Sequence, residues 1–380
     1  MPRNIIVCCD GTNNEFGICN TDIVRIMQIV THSPEQQIVY YDPGVGTLPE
    51  AGVLAWLKKK RELAFATDIG DKVGTAYAHL MEVWQPGDKV FVFGFSRGAY
   101  TARMLAGMLD TLGLLQPGNS QLIPYVVEIF SSLPKNPKLF EDLSATFRWT
   151  FSRPIAGRND ARFPVHFVGV WDTVSSVGWF SKPTKYGFTS HNPGIQVIRH
   201  AVALDERRAF FRQNLIGEVK GQDAVELWFA GVHSDVGGGY REEDGGLWRV
   251  AFEWMVGEAR RSGLLIDTDR LKNVLERTTP PETPWAEPKH ESLDWHWWWA
   301  EFIPKRVWNA TTKTSQWRLN RGRPRYVRDG DRLHRSVLER LRKGGYEPRN
   351  LTQEFIASVK RLTTVPESLP YMSGKANALL

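Results

Sequence analysis

Runs of apolar residues alternate along this chain with amphipathic stretches, and turn-forming residues mark the boundaries. Residues 4–9 are almost wholly apolar and break at Asp10-Gly11-Thr12-Asn13-Asn14, a turn-rich loop. Residues 22–30 place Ile23, Ile26, Met27 and Val30 on one face, which predicts a helix. Residues 37–41 read as a strand and residues 62–84 as a helix that stops before Pro86-Gly87-Asp88. Residues 89–93 predict a buried strand, and 97–109 a helix rich in small side chains. Two helical stretches, 121–133 and 139–151, are set between prolines. Residues 164–170 predict another strand, 195–204 a helix and 225–230 a strand. Strands that are apolar throughout, with helices between them, imply an α/β fold: a mostly parallel sheet with helices on both faces. The main unit is expected over 1–275, with a helical insertion at about 115–160. The appendage at 276–380 is rich first in proline, then in tryptophan, then in basic residues.

Composition changes this picture little. With 380 residues, 42% of them hydrophobic, the chain can bury a substantial core, which excludes intrinsic disorder. The three cysteines, Cys8, Cys9 and Cys19, fit neither a disulfide framework nor a zinc site. Cys8 and Cys9 are expected on opposite faces of the first strand, as buried reduced thiols.

The candidate chemistry centres on Gly94-Phe95-Ser96-Arg97-Gly98, a G-x-S-x-G motif. It follows the strand at 89–93 and opens the helix at 97–109, which is the context of a nucleophile elbow. The alternative is a serine that caps a helix between incidental glycines. A serine hydroxyl needs a base. Asp172 lies just past the strand at 164–170, and His233 lies just past the strand at 225–230, in a glycine-rich loop. Nucleophile, acid and histidine thus come in the expected order, all at strand C-terminal ends, where open α/β sheets bind ligands. Asp235 is a competitor that could orient His233 or bind a metal. Asp205, beside Arg207 and Arg208, reads as an ion-pair residue. His200 and His334, in helical contexts, read as structural.

An oxyanion hole needs two backbone N–H groups. Arg97 should supply one and the Gly11–Thr12 loop the other, unless that loop is a plain Asx turn. The Arg97 guanidinium would serve a substrate phosphate or a salt bridge equally well. Asp10, Phe95 and Trp171, next to these groups, are expected to contact substrate. The chemistry is two-step acyl transfer and calls for no metal or cofactor.

Several longer blocks resemble a known family. They are Cys9-Asp10-Gly11-Thr12-Asn13, Tyr41-Asp42-Pro43-Gly44-Val45-Gly46-Thr47, Gly94-Phe95-Ser96-Arg97-Gly98-Ala99-Tyr100, Gly169-Val170-Trp171-Asp172-Thr173-Val174 and the run from Trp228 to Gly239. They are similar to the α/β-hydrolase domain of type VI secretion phospholipase effectors, in the same order, over about residues 3–255. The resemblance implies a Ser–Asp–His triad, which falls on Ser96, Asp172 and His233, and implies cleavage of lipid esters. By that reading the insertion at 115–160 is a cap shaping the acyl pocket.

Between Lys305 and Lys343 there are 13 basic and 3 acidic residues, a local excess of ten on a chain of net charge +6, so the remainder carries −4. Next to this segment stands Trp295-His296-Trp297-Trp298-Trp299. Aromatics beside cations suit a membrane–water interface, so residues 295–343 are expected either to meet an anionic membrane or to bury their tryptophans against the body. The basic stretch reads equally as a solvated face. Clustered tryptophans and the lack of a recognised motif argue against nucleic acid as the partner. The expected substrate is a lipid or another acyl ester. No apolar run is long enough for a membrane span, and no signal peptide is evident, so synthesis in the cytoplasm is expected, with signal-independent secretion left open.

Overall fold

The structure is a computed structural model of the chain. It describes residues 2–11, 17, 19–44, 64–131, 137–174, 190–276, 283–309 and 314–373.

The strands, in chain order, are β1 (Asn4–Cys9), β2 (Gln37–Asp42), β3 (Lys89–Phe95), β4 (Val165–Trp171), β5 (Ile195–Ala203), β6 (Asp223–Phe229), β7 (Lys305–Asn309), β8 (Thr314–Arg318), β9 (Arg332–His334) and β10 (Ser368–Pro370). Eight of them form one sheet in the order β10-β9-β6-β5-β4-β3-β1-β2. Every neighbouring pair in it is parallel except β10 with β9. β7 and β8 form a separate antiparallel hairpin. The chain leaves β1 toward β2 on one side and continues from β3 on the other, so a topological switch point lies between β1 and β3. In doubly wound folds that crevice, beyond the strand C-termini, takes the ligand.

Side-chain alternation explains why both faces are covered. Ile5, Val7 and Cys9 of β1, with Val90 and Val92 of β3, bury against helices α2 (Ala64–Val83) and α3 (Arg97–Leu112). Ile6, Cys8, Phe91, Phe93 and Phe167 bury on the other face, against α1 (Asp22–Ile29). Each wholly buried aromatic there contributes roughly 1.5–3 kcal/mol relative to exposure. Cys8 and Cys9 point to opposite faces, as alternation requires, and both are free and buried.

Three features depart from the sequence expectations. The stretch 195–204, expected to be a helix, is strand β5 over Ile195–Ala203. Ile195, Ile198 and Val202 imitate helical spacing, while Arg199 and His200 look like a polar helix face. Both are in fact buried and partnered: Arg199 meets Glu258 at 2.5 Å and Asp223 at 2.9 Å, and His200 Nδ1 meets Glu226 at 2.7 Å.

Second, the insertion is not a cap over the strand C-termini. Its helices, α4 (Ile123–Ser131) and α5 (Pro137–Phe151), sit beside the C-terminal half of α3. Arg148 donates to Thr111 O, and Ser152 Oγ to Leu112 O at 2.6 Å. At about 1.5 Å rise per residue, that end of α3 lies roughly 20 Å from Ser96.

Third, the appendage is part of the sheet. The remaining helices are α6 (His233–Gly237), α7 (Trp248–Arg261), α8 (Thr268–Leu275), α9 (Trp295–Glu301), α10 (Arg335–Lys343) and α11 (Gln353–Lys360). Val202, Leu204 and Trp228 of the main body share one core with Val327, Leu333, Val337, Leu341, Phe355 and Tyr371. No core boundary falls at residue 275.

Candidate active site

β3 ends at Phe95, and α3 starts at Arg97, so Ser96 alone makes the turn. Its backbone is at φ 59°, ψ −121°, which an L residue seldom adopts. The turn is tight because backbone crowds it from two sides. A Cβ on Gly98 would fall 2.2 Å from Cys9 O, and one on Gly94 would fall 2.5 Å from Gly98 O. Glycine is therefore a steric requirement at both flanks of the serine. Ser96 occupies the N-cap position of α3, yet its side chain makes no capping hydrogen bond. The helix-cap alternative does not hold.

The elbow is tied to the loop after β4. Ser96 N donates to Trp171 O at 3.1 Å, and Val174 N donates to Ser96 O at 3.4 Å. Between them sits Asp172, also at positive φ (40°) and wholly buried. Its Oδ2 lies 2.5 Å from His233 Nδ1. The histidine ring stacks on Phe95 (centroids 4.6 Å apart) and meets the edge of Phe211 (4.8 Å). The three residues read from the sequence therefore converge on one edge of the sheet. Among the described residues, no hydrogen bond joins Ser96 Oγ to the His233 ring; such contacts often tighten only when substrate binds.

Asp172 has more partners than a sequence reveals. Ala203 N donates to Oδ1 at 2.9 Å, and Arg325 reaches both oxygens, at 2.5 and 2.9 Å. Burial would raise its carboxyl, but Arg325 and then His233 outweigh burial and hold it well below the usual carboxylate range. Burial pushes the His233 imidazole below its ordinary value, against the opposing pull of Asp172. With the carboxylate ionised, Nδ1 carries the proton and Nε2 is left as the acceptor.

Behind His233, the buried Glu206 accepts from His233 N at 3.2 Å, from Arg208 Nε at 3.0 Å and from Ser292 Oγ at 2.9 Å. Burial would raise Glu206, yet Arg208 brings it down to about 2. Arg208 in turn stacks over Phe211 at 3.6 Å and lies 5.2 Å from the Trp297 ring. Asp235 does not orient the His233 ring. It pairs with His290 Nδ1 at 2.6 Å. His200 Nε2 accepts from Thr173 N at 3.1 Å, so it props the backbone beside Asp172.

The expected oxyanion and substrate residues fare differently. Arg97 opens α3, where helix geometry leaves the first N–H groups without intrahelical acceptors. Gly11 N is already committed to Asp10 Oδ1 at 2.6 Å; Thr12, whose N–H an Asx turn would use, lies outside the described residues. Asp10 also accepts from Thr21 Oγ1 at 2.8 Å and Tyr41 OH at 3.0 Å, so it holds the loop together. Phe95 is packed under the His233 ring, and Trp171 is core beside Phe93. All three make contacts within the protein that hold this edge of the sheet together. Sequence reasoning missed Glu206, Phe211, Trp297 and Arg325. Glu206 lies in the Asp205-Glu206-Arg207-Arg208 charge run, which draws attention to its first residue, and Trp297 and Arg325 lie in the stretch 295–343 that reads as a membrane contact.

A doubly wound sheet with a serine elbow after β3 is the α/β-hydrolase class of architecture. Residues 3–258 match the family described as T6SS, phospholipase effector Tle1-like, catalytic domain, and the chain belongs to that family. An uncharacterised protein of Saccharomyces cerevisiae is 33% identical over 226 residues, covering 56% of this chain and 32% of its own length. An uncharacterised Pseudomonas aeruginosa protein of solved structure is similar with a TM-score of 0.41 at 18% identity, over 70% of this chain and 46% of that one. The Tle1 effector bound to the VgrG spike of the type VI secretion system is similar with a TM-score of 0.39 at 19% identity, over 63% and 51%. The chain thus spans about a third of the yeast protein and about half of the two solved chains.

Proposed function

We propose that this protein is a serine ester hydrolase that acts on phospholipid or related lipid esters. The observation that carries the reading is the His233–Asp172 pair at 2.5 Å, its ring stacked on the residue that precedes a strained, non-capping Ser96. Ser96 Oγ attacks the ester carbonyl while His233 Nε2 takes its proton. Asp172 fixes the tautomer and stabilises the imidazolium. The N–H of Arg97 and the positive end of α3 face the developing oxyanion. His233 returns the proton to the departing alcohol, and water then releases the acyl group by the same steps.

Family membership supports a lipid over a soluble ester, and so does the surface beside the histidine. Trp297 of α9 touches Phe211, while Trp295, Trp298 and Phe302 around it are exposed. This edge is suited to lie on an anionic bilayer with the ester entering toward Ser96. Among the described residues, no helix is long and apolar enough to cross a membrane. The test is labelling by a fluorophosphonate probe, wild type beside Ser96→Ala, with and without anionic phospholipid vesicles. Labelling of the wild type alone, increased by vesicles, is the expected result. Labelling of both forms, or of neither, refutes the serine assignment, and indifference to vesicles points to soluble esters.

A further inference from the structure

We propose that Arg325 is a positioning residue of this catalytic centre: its guanidinium forks the Asp172 carboxylate and sets the plane in which the acid meets His233. The inference rests on the triad reading above.

The geometry is that of a clamp. Arg325 Nη1 reaches Asp172 Oδ1 at 2.5 Å and Ala203 O at 2.9 Å. Nη2 reaches Asp172 Oδ2 at 2.9 Å and also Phe211 O, and Nε reaches Phe211 O at 3.2 Å. A guanidinium has five N–H donors, and here each has an acceptor, so the group has no freedom to swing. Both side chains are wholly buried. Asp172 Oδ2 is shared between Arg325 and His233 Nδ1, which makes the cation a direct neighbour of the reacting pair. The clamp also grips the backbone of Phe211, whose ring edges the imidazole.

Two effects follow, with different signatures. The fork orients the carboxylate, and so the histidine. The charge partly neutralises Asp172, so the imidazolium gains less from it and the ring stays neutral, ready to act as base, to lower pH. The other charges close to this group, Glu206, Arg208 and Arg212, remain in every variant.

Arg325→Lys keeps the charge and loses the fork. Arg325→Gln loses the charge. Each is compared with wild type on a small soluble ester, following kcat and KM across pH, with folding monitored by circular dichroism and thermal unfolding. In Arg325→Lys, kcat is expected to fall about 100-fold, the usual order for a misplaced catalytic group, with KM and the acid limb of kcat/KM unmoved. In Arg325→Gln, the acid limb is expected to move to higher pH, because the imidazolium is then opposed by one cation fewer. If both variants keep the wild-type limb and kcat falls only in step with the folded fraction, Arg325 is a structural ion pair and the proposal is overturned. Should the Gln variant not fold, the Lys variant decides: wild-type kcat in a folded Lys protein overturns it. Failure of the triad reading is separately visible, since Ser96→Ala would then retain turnover whatever Arg325 does.

Discussion

The strain at Ser96 can be measured by comparing two inactive variants. Ser96→Ala and Ser96→Gly both remove the hydroxyl, and neither loses a helix cap, since none is made. They differ in what the backbone tolerates. Alanine is held, like serine, at φ 59°, ψ −121°, whereas glycine adopts that conformation freely. Relief of such strain is worth about 1–3 kcal/mol. The greater entropy of glycine in the unfolded chain takes back about 0.4–1 kcal/mol. Ser96→Gly should therefore be the more stable variant by about 1 kcal/mol. In a chain of this length that moves the thermal midpoint by only about 1 °C, so urea unfolding is the better assay: the midpoint should rise with unchanged slope. Neither variant should turn over ester. If the glycine variant is no more stable than the alanine variant, the elbow is not strained, and the reasoning from φ to function fails with it.

Asp172→Asn should cost about 3–5 kcal/mol in stability, because it leaves the buried Arg325 charge without its counter-ion, and about 10⁴-fold in kcat, because the imidazole loses its imposed tautomer; near-normal turnover in a folded variant would remove Asp172 from the triad. His334 caps α10 by accepting from Ser336 N, and burial brings its imidazole from 6.5 down to about 4. The unfolded chain therefore takes up this proton first, so the His334 contribution is complete above about pH 6.5 and is lost as pH falls toward 4. His334→Asn, which still caps but does not titrate, should show a smaller loss of stability between pH 7 and 5 in urea titrations, and an identical loss would remove His334 as a cause. Replacing Trp295, Trp298 and Phe302 together by serine should weaken sedimentation with anionic vesicles at least tenfold while turnover of a soluble ester is retained; unchanged sedimentation would take this edge out of membrane contact.

The positions of Ser96, Asp172 and His233 were legible because glycine spacing and strand ends are local signals. The sheet was legible for the same reason, except at β5, where buried Arg199 and His200 hid a strand, and at the short β9 and β10, which lie in the segment read as an appendage. Their partners, Glu226 and Glu258, lie outside any local window. The place of α4 and α5 follows from connectivity alone: a segment joining the end of α3 to the start of β4 begins and ends at the edge of the sheet away from the elbow. Arg325 gave no signal. It stands in an arginine-rich stretch that reads as a solvated or membrane-facing surface, and charge in a sequence does not reveal burial. The tryptophan cluster could not be divided from sequence either, because Trp297 turns toward Phe211 while its neighbours Trp295 and Trp298 face out.

The distance along the chain between Asp172 and its guanidinium, 153 residues, also sets a clock. A ribosome adding about 5–20 residues per second needs on the order of 10 s to travel from one to the other. Through that interval the nascent chain already carries the serine, the acid and then the histidine, yet Asp172 has no counter-ion, and Val202, Leu204 and Trp228 have none of the cover that residues 327–371 provide. Under the proposed reading, the centre lacks its clamp until residue 325 has been made. A fragment cut at residue 258, where the family match ends, would keep every residue of the triad and lack the clamp that aligns it.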